Sequence, residues 1–341
     1  MTDRNNDGGP PPMLDPRRNV HLRPEGRPEH SPTSVAPKPL LSAPSEAEAA
    51  TARSRFRSMQ ATLTTALGCP YYANEGFILY CGDSIDLLHR LVDSEVRVDL
   101  TVTSPPYNIG KEYEDIQSQD AYINWCERWI SLVHRATSEA GSFWLNLGYF
   151  EVPAKGLCVP IAYLLWDRSS FYLLQEVVWQ YGAGVTTRKR FCPRNEKWLF
   201  YVRDPDQYTF NLDAVRDPNV KYPNQKKNGK LRCNPLGKNP SDVWSFPKVT
   251  TGKRRSSKER TDHPAQFPLA VVNRIIKVSS NYSDVILDPF SGSASTGIAA
   301  AGTGRVYVGF EVREDYCSLA VERFEGYLEE RRARSLQMPQ I

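Results

Sequence analysis

Between residues 285 and 301 an apolar run, Val285-Ile286-Leu287, ends on Asp288. It then passes through Pro289-Phe290-Ser291-Gly292-Ser293-Ala294-Ser295-Thr296-Gly297 into Ile298-Ala299-Ala300-Ala301. A short fully apolar strand, an acid, a tight turn of small residues and a helix start make a ligand cradle at the carboxyl end of a parallel strand. Parallel strands need crossover connections, so this stretch alone points to an α/β protein. The rest of the chain agrees. Short apolar runs at 77–80, 96–103, 142–147, 172–181, 198–202 and 306–311 alternate with helical spacings such as Ile123, Cys126, Ile130, Val133 and Phe267, Val271, Ile275, Val278. We therefore expect a doubly wound, mostly parallel sheet. The apolar stripes, with Trp125 and Trp129 beside them, read as core. The turn lacks the GxGxxG spacing of a dinucleotide site and the GK[ST] ending of a phosphate loop, which counts against nicotinamide and nucleoside triphosphate ligands.

A second strand ends abruptly: Asp99-Leu100-Thr101-Val102-Thr103 runs into Ser104-Pro105-Pro106-Tyr107. Two successive prolines fix φ and lack N–H donors, so they stop the strand and hold the neighbouring carbonyls at set angles. Ser104 Oγ and the Pro105 carbonyl are then a rigid pair of acceptors, suited to the two hydrogens of an amino group, and Tyr107 offers a stacking face. The exocyclic amine of a base is a poor nucleophile because its lone pair is delocalised into the ring. Accepting both hydrogens in fixed directions favours a pyramidal nitrogen that can attack an electrophilic methyl group. Glu311 closes the run 306–311 about twenty residues past the glycine turn, a position from which an acid can bind ribose hydroxyls.

Seven scattered cysteines without a CxxC pair argue against a disulfide framework or a zinc site. No metal is expected. No apolar run approaches the ~18–20 residues that span a bilayer, and no signal-peptide pattern opens the chain, so we expect a cytoplasmic protein. A net charge of +4 is only mildly basic, so any nucleic-acid surface must come from local clustering. Ten of the 26 prolines fall within residues 1–51, which show no period of 2 or 3.6. Residues 1–60 read as a disordered arm, either a solvated tail or one that brings Arg17, Arg18, Arg23 and Arg27 to DNA phosphates.

Ser104-Pro105-Pro106-Tyr107 resembles the catalytic motif of DNA amino-methyltransferases, and Asp288-Pro289-Phe290-Ser291-Gly292 resembles their S-adenosylmethionine motif. The catalytic motif comes first, an order similar to the permuted β group of restriction-modification systems. Gly82-Asp83 looks like the family's acid-bearing motif, and His263-Pro264-Ala265-Gln266-Phe267-Pro268 like its cofactor-contacting helix start. Asn195-Glu196 and Tyr208-Thr209-Phe210-Asn211 also resemble the group.

The resemblance implies S-adenosylmethionine held by Asp83, His263, Pro264, Phe267, Asp288, Pro289, Phe290, Ser291, Gly292, Ser293 and Glu311. It also implies direct methyl transfer to a base in double-stranded DNA, and protection from a companion endonuclease. A leading serine is usual with N4-cytosine enzymes and aspartate or asparagine with N6-adenine enzymes. N4 of cytosine is thus the expected target and N6 of adenine the alternative. A catalytically silent DNA-binding module and a dehydrogenase are more distant readings. C5-cytosine chemistry needs a nucleophilic cysteine, and the chain has no Pro-Cys.

A base inside a duplex cannot reach a buried methyl donor, so the target must flip out, and flipping needs phosphate clamps. Candidate cations are Arg188, Lys189, Arg190 and Arg194, then Lys226, Lys227, Lys230 and Arg232, then Lys253, Arg254, Arg255, Lys258 and Arg260. We expect a catalytic half over 61–185, a target-recognition region with some core strands over 186–262, and a cofactor-binding half over 263–335. Monomer and dimer both remain open.

Overall fold

The computed structural model describes residues 46–111, 115–182, 184, 186–249, 259–261 and 265–337. In chain order the strands are β1 Tyr72–Asn74, β2 Phe77–Cys81, β3 Val98–Thr103, β4 Thr137–Leu147, β5 Tyr149–Val152, β6 Gly156–Pro160, β7 Tyr172–Gln180, β8 Asn195–Val202, β9 Lys226–Lys227, β10 Lys230–Leu231, β11 Val243–Ser245, β12 Val285–Asp288 and β13 Val306–Glu311. The helices are α1 Glu46–Leu67, α2 Ser84–Asp93, α3 Gln119–Ala136, α4 Ala162–Leu165, α5 Leu269–Ser279, α6 Ser295–Gly302 and α7 Glu314–Gln337.

Among the described residues, nine strands form one sheet in the order β1-β2-β13-β12-β3-β4-β8-β7-β11. Its centre, β2-β13-β12-β3-β4, is parallel throughout. β8 runs antiparallel to both β4 and β7, and β1 is antiparallel to β2 at the edge. The central strands read as continuous apolar runs because helices cover both faces. Val285 and Leu287 of β12 pack with α1, α2 and α3, whereas Ile286 packs with α5, α6 and α7. Successive side chains on a strand point to opposite faces, which divides the core in two. The expected doubly wound, mostly parallel sheet is thus the fold observed.

Two boundaries differ most from expectation. α1 begins at Glu46, inside the stretch read as a disordered arm, and it buries Leu63 and Leu67 completely or nearly so. Its core-facing residues, Phe56, Met59, Leu63 and Leu67, recur at helical spacing within an otherwise polar segment. β4 starts at Thr137, directly after α3, five residues before the apolar run that marks it in sequence. Those first residues include the exposed Glu139 and Ala140, so hydrophobic patterning does not reveal them.

Candidate active site

β12 and β3 are neighbours in the sheet. The chain leaves β12 through α6 towards β13, on one side, and leaves β3 through α3 towards β4, on the other. A crevice opens where the winding reverses in this way. Thr103 at the end of β3 donates to Asp288 Oδ1 at the end of β12 over 2.6 Å, so the two motifs that sequence singles out meet. Asp288 also accepts from the Phe290 backbone N–H at 3.2 Å. Burial pushes its carboxyl up to about 6. Asp288, expected from sequence as a cofactor ligand, is in the structure the clasp between the strand ends.

On the β3 side the polar atoms form a relay. Ser104 Oγ donates to the Tyr107 hydroxyl at 2.9 Å, which donates to Asn146 Oδ1 at 2.7 Å. The fully buried Asn146 in turn donates to the Lys197 carbonyl. The single Ser104 hydrogen is thus directed away, leaving oxygen lone pairs to accept. Tyr122 donates to the Pro106 carbonyl at 2.8 Å, whereas the Pro105 carbonyl accepts no hydrogen bond among the described residues. Gly148 lets the Tyr107 ring sit where it does: a Cβ there would lie 2.8 Å from Tyr107 Cε2.

On the β12 side the main chain does the holding. Gly292 adopts φ of 50°, in the left-handed region that glycine tolerates best, and its N–H donates to Glu311 Oε2 at 2.8 Å. The other Glu311 oxygen accepts from Arg313 N at 3.0 Å, while burial raises the carboxyl above its ordinary value. Ser291 N donates to the Phe310 carbonyl, and Tyr307 donates to Ser291 Oγ. Arg323 of α7, lowered to about 10 by burial, donates to the Ser293 carbonyl at 2.7 Å and to Ser295 Oγ at 2.9 Å. Ser84 donates to the Pro289 carbonyl at 2.5 Å. One oxygen of Asp83 caps α2 by accepting from Ile85 and Asp86 N–H groups, satisfying donors that a helix start leaves open.

Together these residues line a crevice of about 700 Å³, within the range of small-molecule sites. Asp83, Phe267, Pro289, Phe290, Ser291, Gly292, Ser293 and Glu311 share it with all four residues of 104–107. His263 and Pro264 lie outside the described residues. Phe290 packs edge-on against Trp129 and tilted against Trp125. Trp129 is core as expected, but Trp125 reaches the crevice wall.

A second group stands on this wall: Trp179 and Tyr181 at the end of β7, Lys248, and Glu196 on β8, of which the sequence marks only Glu196, by resemblance and without a role. Lys248 pairs with Glu196 at 2.6 Å and lies 4.0 Å from the centre of the Tyr181 ring. Burial, reinforced by Glu196, raises the Tyr181 hydroxyl well above its ordinary value. Three separate segments supply these groups, so no local spacing announces them.

The candidate cations divide. Arg188, Lys189 and Arg190 are exposed on the loop between β7 and β8, and Arg190 reaches the crevice. Arg194, at the base of that loop, donates to the Pro193 carbonyl. Lys226 and Lys227 form one arm of a small exposed hairpin whose other arm carries Lys230, and Arg232 follows, bonded to Gln225. Arg260 is exposed. Lys253, Arg254, Arg255 and Lys258 lie outside the described residues.

Residues 98–322 match the family model N6_N4_Mtase, described as DNA methylase. The chain is 63% identical over 266 residues to the type II methyltransferase M.ScaI of Streptomyces caespitosus, covering 78% of this chain and 87% of that protein. It is 32% identical over 263 residues to the DNA adenine methyltransferase YhdJ of Escherichia coli (strain K12), covering 74% and 84%. Its fold is similar to the solved PvuII DNA methyltransferase (cytosine-N4-specific), with a TM-score of 0.56 at 18% identity over 76% of this chain and 93% of that one.

Proposed function

The chain belongs to the N6/N4 DNA methylase family, and from that premise we propose that it methylates N4 of cytosine in double-stranded DNA. The observation that carries the reading is the pair of acceptors at the end of β3, facing a loop-built cradle across one crevice. S-adenosylmethionine, when bound, supplies an electrophilic methyl on a sulfonium.

The residues present fit that group. Glu311 and Asp83 can accept from its hydroxyl and amino groups, Phe290 and Trp125 offer apolar faces, and the turn at Gly292 keeps side-chain bulk out of the cradle. Ser104 Oγ and the Pro105 carbonyl accept the two amine hydrogens, turning the nitrogen lone pair towards the methyl group. Tyr107, fixed by Asn146 and by the space at Gly148, stacks on the extruded base. A hydroxyl and an amide carbonyl are both too weakly basic to keep the proton shed after transfer, which passes to water.

The choice of cytosine N4 rests on the serine that heads the tetrapeptide. Arg188, Lys189, Arg190, Lys226 and Lys227, together with the segment of Lys253, Arg254 and Arg255, are read as phosphate and groove contacts of a recognition region over 186–262. By analogy with the type II relative, the modification would guard DNA against a companion endonuclease.

Digestion of DNA methylated by the purified protein to nucleosides tests the proposal. N4-methylcytosine is expected. N6-methyladenine, the product suggested by the likeness to an adenine methyltransferase, would overturn the base assignment and leave the chemistry intact.

A further inference from the structure

Phe191 stands out among the large apolar side chains described, being 99% exposed. A single exposed apolar residue is ordinary, but the surroundings of this one are not. The loop between β7 and β8 is closed at its base by Tyr181 N–H donating to the Arg194 carbonyl at 2.9 Å. At its tip the Thr187 hydroxyl bonds the Arg190 carbonyl, and the Thr187 N–H donates to Cys192 Sγ at 3.5 Å. One residue therefore pins the chain on both sides of Phe191, and the ring is held out by a built turn.

Arg190 and Pro193, one and two positions away, line the crevice, so Phe191 belongs to the chain segment at its rim, with its own ring turned out to solvent. Arg188, Lys189 and Arg190 beside it are exposed and can take up phosphates. An aromatic ring flanked by cations at the rim of a base-binding crevice has the chemistry of an intercalating wedge.

We propose that Phe191 enters the duplex and fills the space left by the extruded base, stacking on the neighbouring base pairs. This rests on the flipped-base reading above. Extrusion forfeits the stacking and pairing of the target base, and an inserted aromatic ring restores part of the stacking while blocking the base's return. The wedge acts on the duplex and leaves the methyl donor untouched.

The test uses full-length protein and a duplex carrying its methylation site, mapped by single-molecule sequencing, with 2-aminopurine at the target position and thymine opposite it, so that the probe is paired. Wild type should raise the fluorescence as the base unstacks. Phe191→Ala should lose most of that rise and bind about tenfold or more weakly, the scale of one aromatic–base stack. On a duplex whose target base is mispaired, where extrusion is already easier, its deficit should shrink to about threefold or less. Phe191→Trp should retain the wild-type response, and both variants should bind S-adenosylmethionine normally, which checks the fold. Equal behaviour of Phe191→Ala and wild type, or an equal loss on paired and mispaired duplexes, would overturn the wedge while methylation by wild type upheld the parent reading. A wild type that methylates no DNA would overturn both.

Discussion

The two strand ends that face each other across the crevice are built from different materials. At 104–107 the backbone is fixed by two prolines, and the proposed function lies in the Ser104 hydroxyl, the Pro105 carbonyl and the Tyr107 ring, with Ser104 and Tyr107 held by the relay to Asn146. At 288–295 the side chains are mostly small, and the main chain is fixed from outside by Glu311, Ser84 and Arg323, with Tyr307 holding the Ser291 hydroxyl. The difference follows from the tasks assigned to them. An amine that must be pyramidalised needs acceptors at set angles, whereas a large ligand needs room and backbone polarity. Changes at the first end should therefore fall on kcat and changes at the second on affinity for the methyl donor.

The largest effects belong to the first end. Tyr107→Ala should lower the single-turnover rate about 10³-fold, and Ser104→Ala about 10²-fold, the scale of one lost transition-state hydrogen bond. A comparable fall in donor affinity in either variant would blur the division. At the second end, Glu311→Ala removes the acceptor of Gly292 N–H and should raise the KM for S-adenosylmethionine about 10- to 100-fold, with a smaller change in kcat. Gly148→Ala sharpens the contrast from a distance. Its methyl group would press on the Tyr107 ring, so kcat should drop about tenfold in stopped-time assays while donor binding stays as it was.

The clasp between the ends has a pH signature. Because burial pushes Asp288 from 3.8 up to about 6, the folded protein holds that proton more tightly than the unfolded chain does. Stability from this group is therefore greatest below its ordinary value and is lost as pH rises through about 6. In thermal melts, Asp288→Asn should flatten the decline in Tm between about pH 4 and 6. Asp284, also pushed up to about 6, preserves the rest of the slope.

The two ends also differed in how far they could be read in advance. β12 and β13 have the boundaries expected from their apolar runs, because strands buried on both faces carry a continuous hydrophobic signal. The small-residue turn and the proline pair are likewise local features. The supports around them are not: Asn146 lies 39 residues from Tyr107 and Arg323 lies 30 from Ser293, and only the closed sheet brings them near. The same holds for the Lys248–Glu196 pair beside Tyr181. Elsewhere local signals do exist in the sequence. Asn228-Gly229, between two lysine-bearing arms, is a strong hairpin dipeptide, and the helical spacing of Phe56, Met59, Leu63 and Leu67 marks α1 inside a stretch dominated by its polarity.

One crevice with two separable walls underlies the proposed chemistry. Titrating S-adenosylmethionine into folded Tyr107→Ala protein, with single-turnover methyl transfer to DNA measured on the same preparation, addresses this most directly. We predict a dissociation constant within about twofold of wild type and a rate reduced about 10³-fold. Donor affinity weakened in proportion to the rate would contradict it.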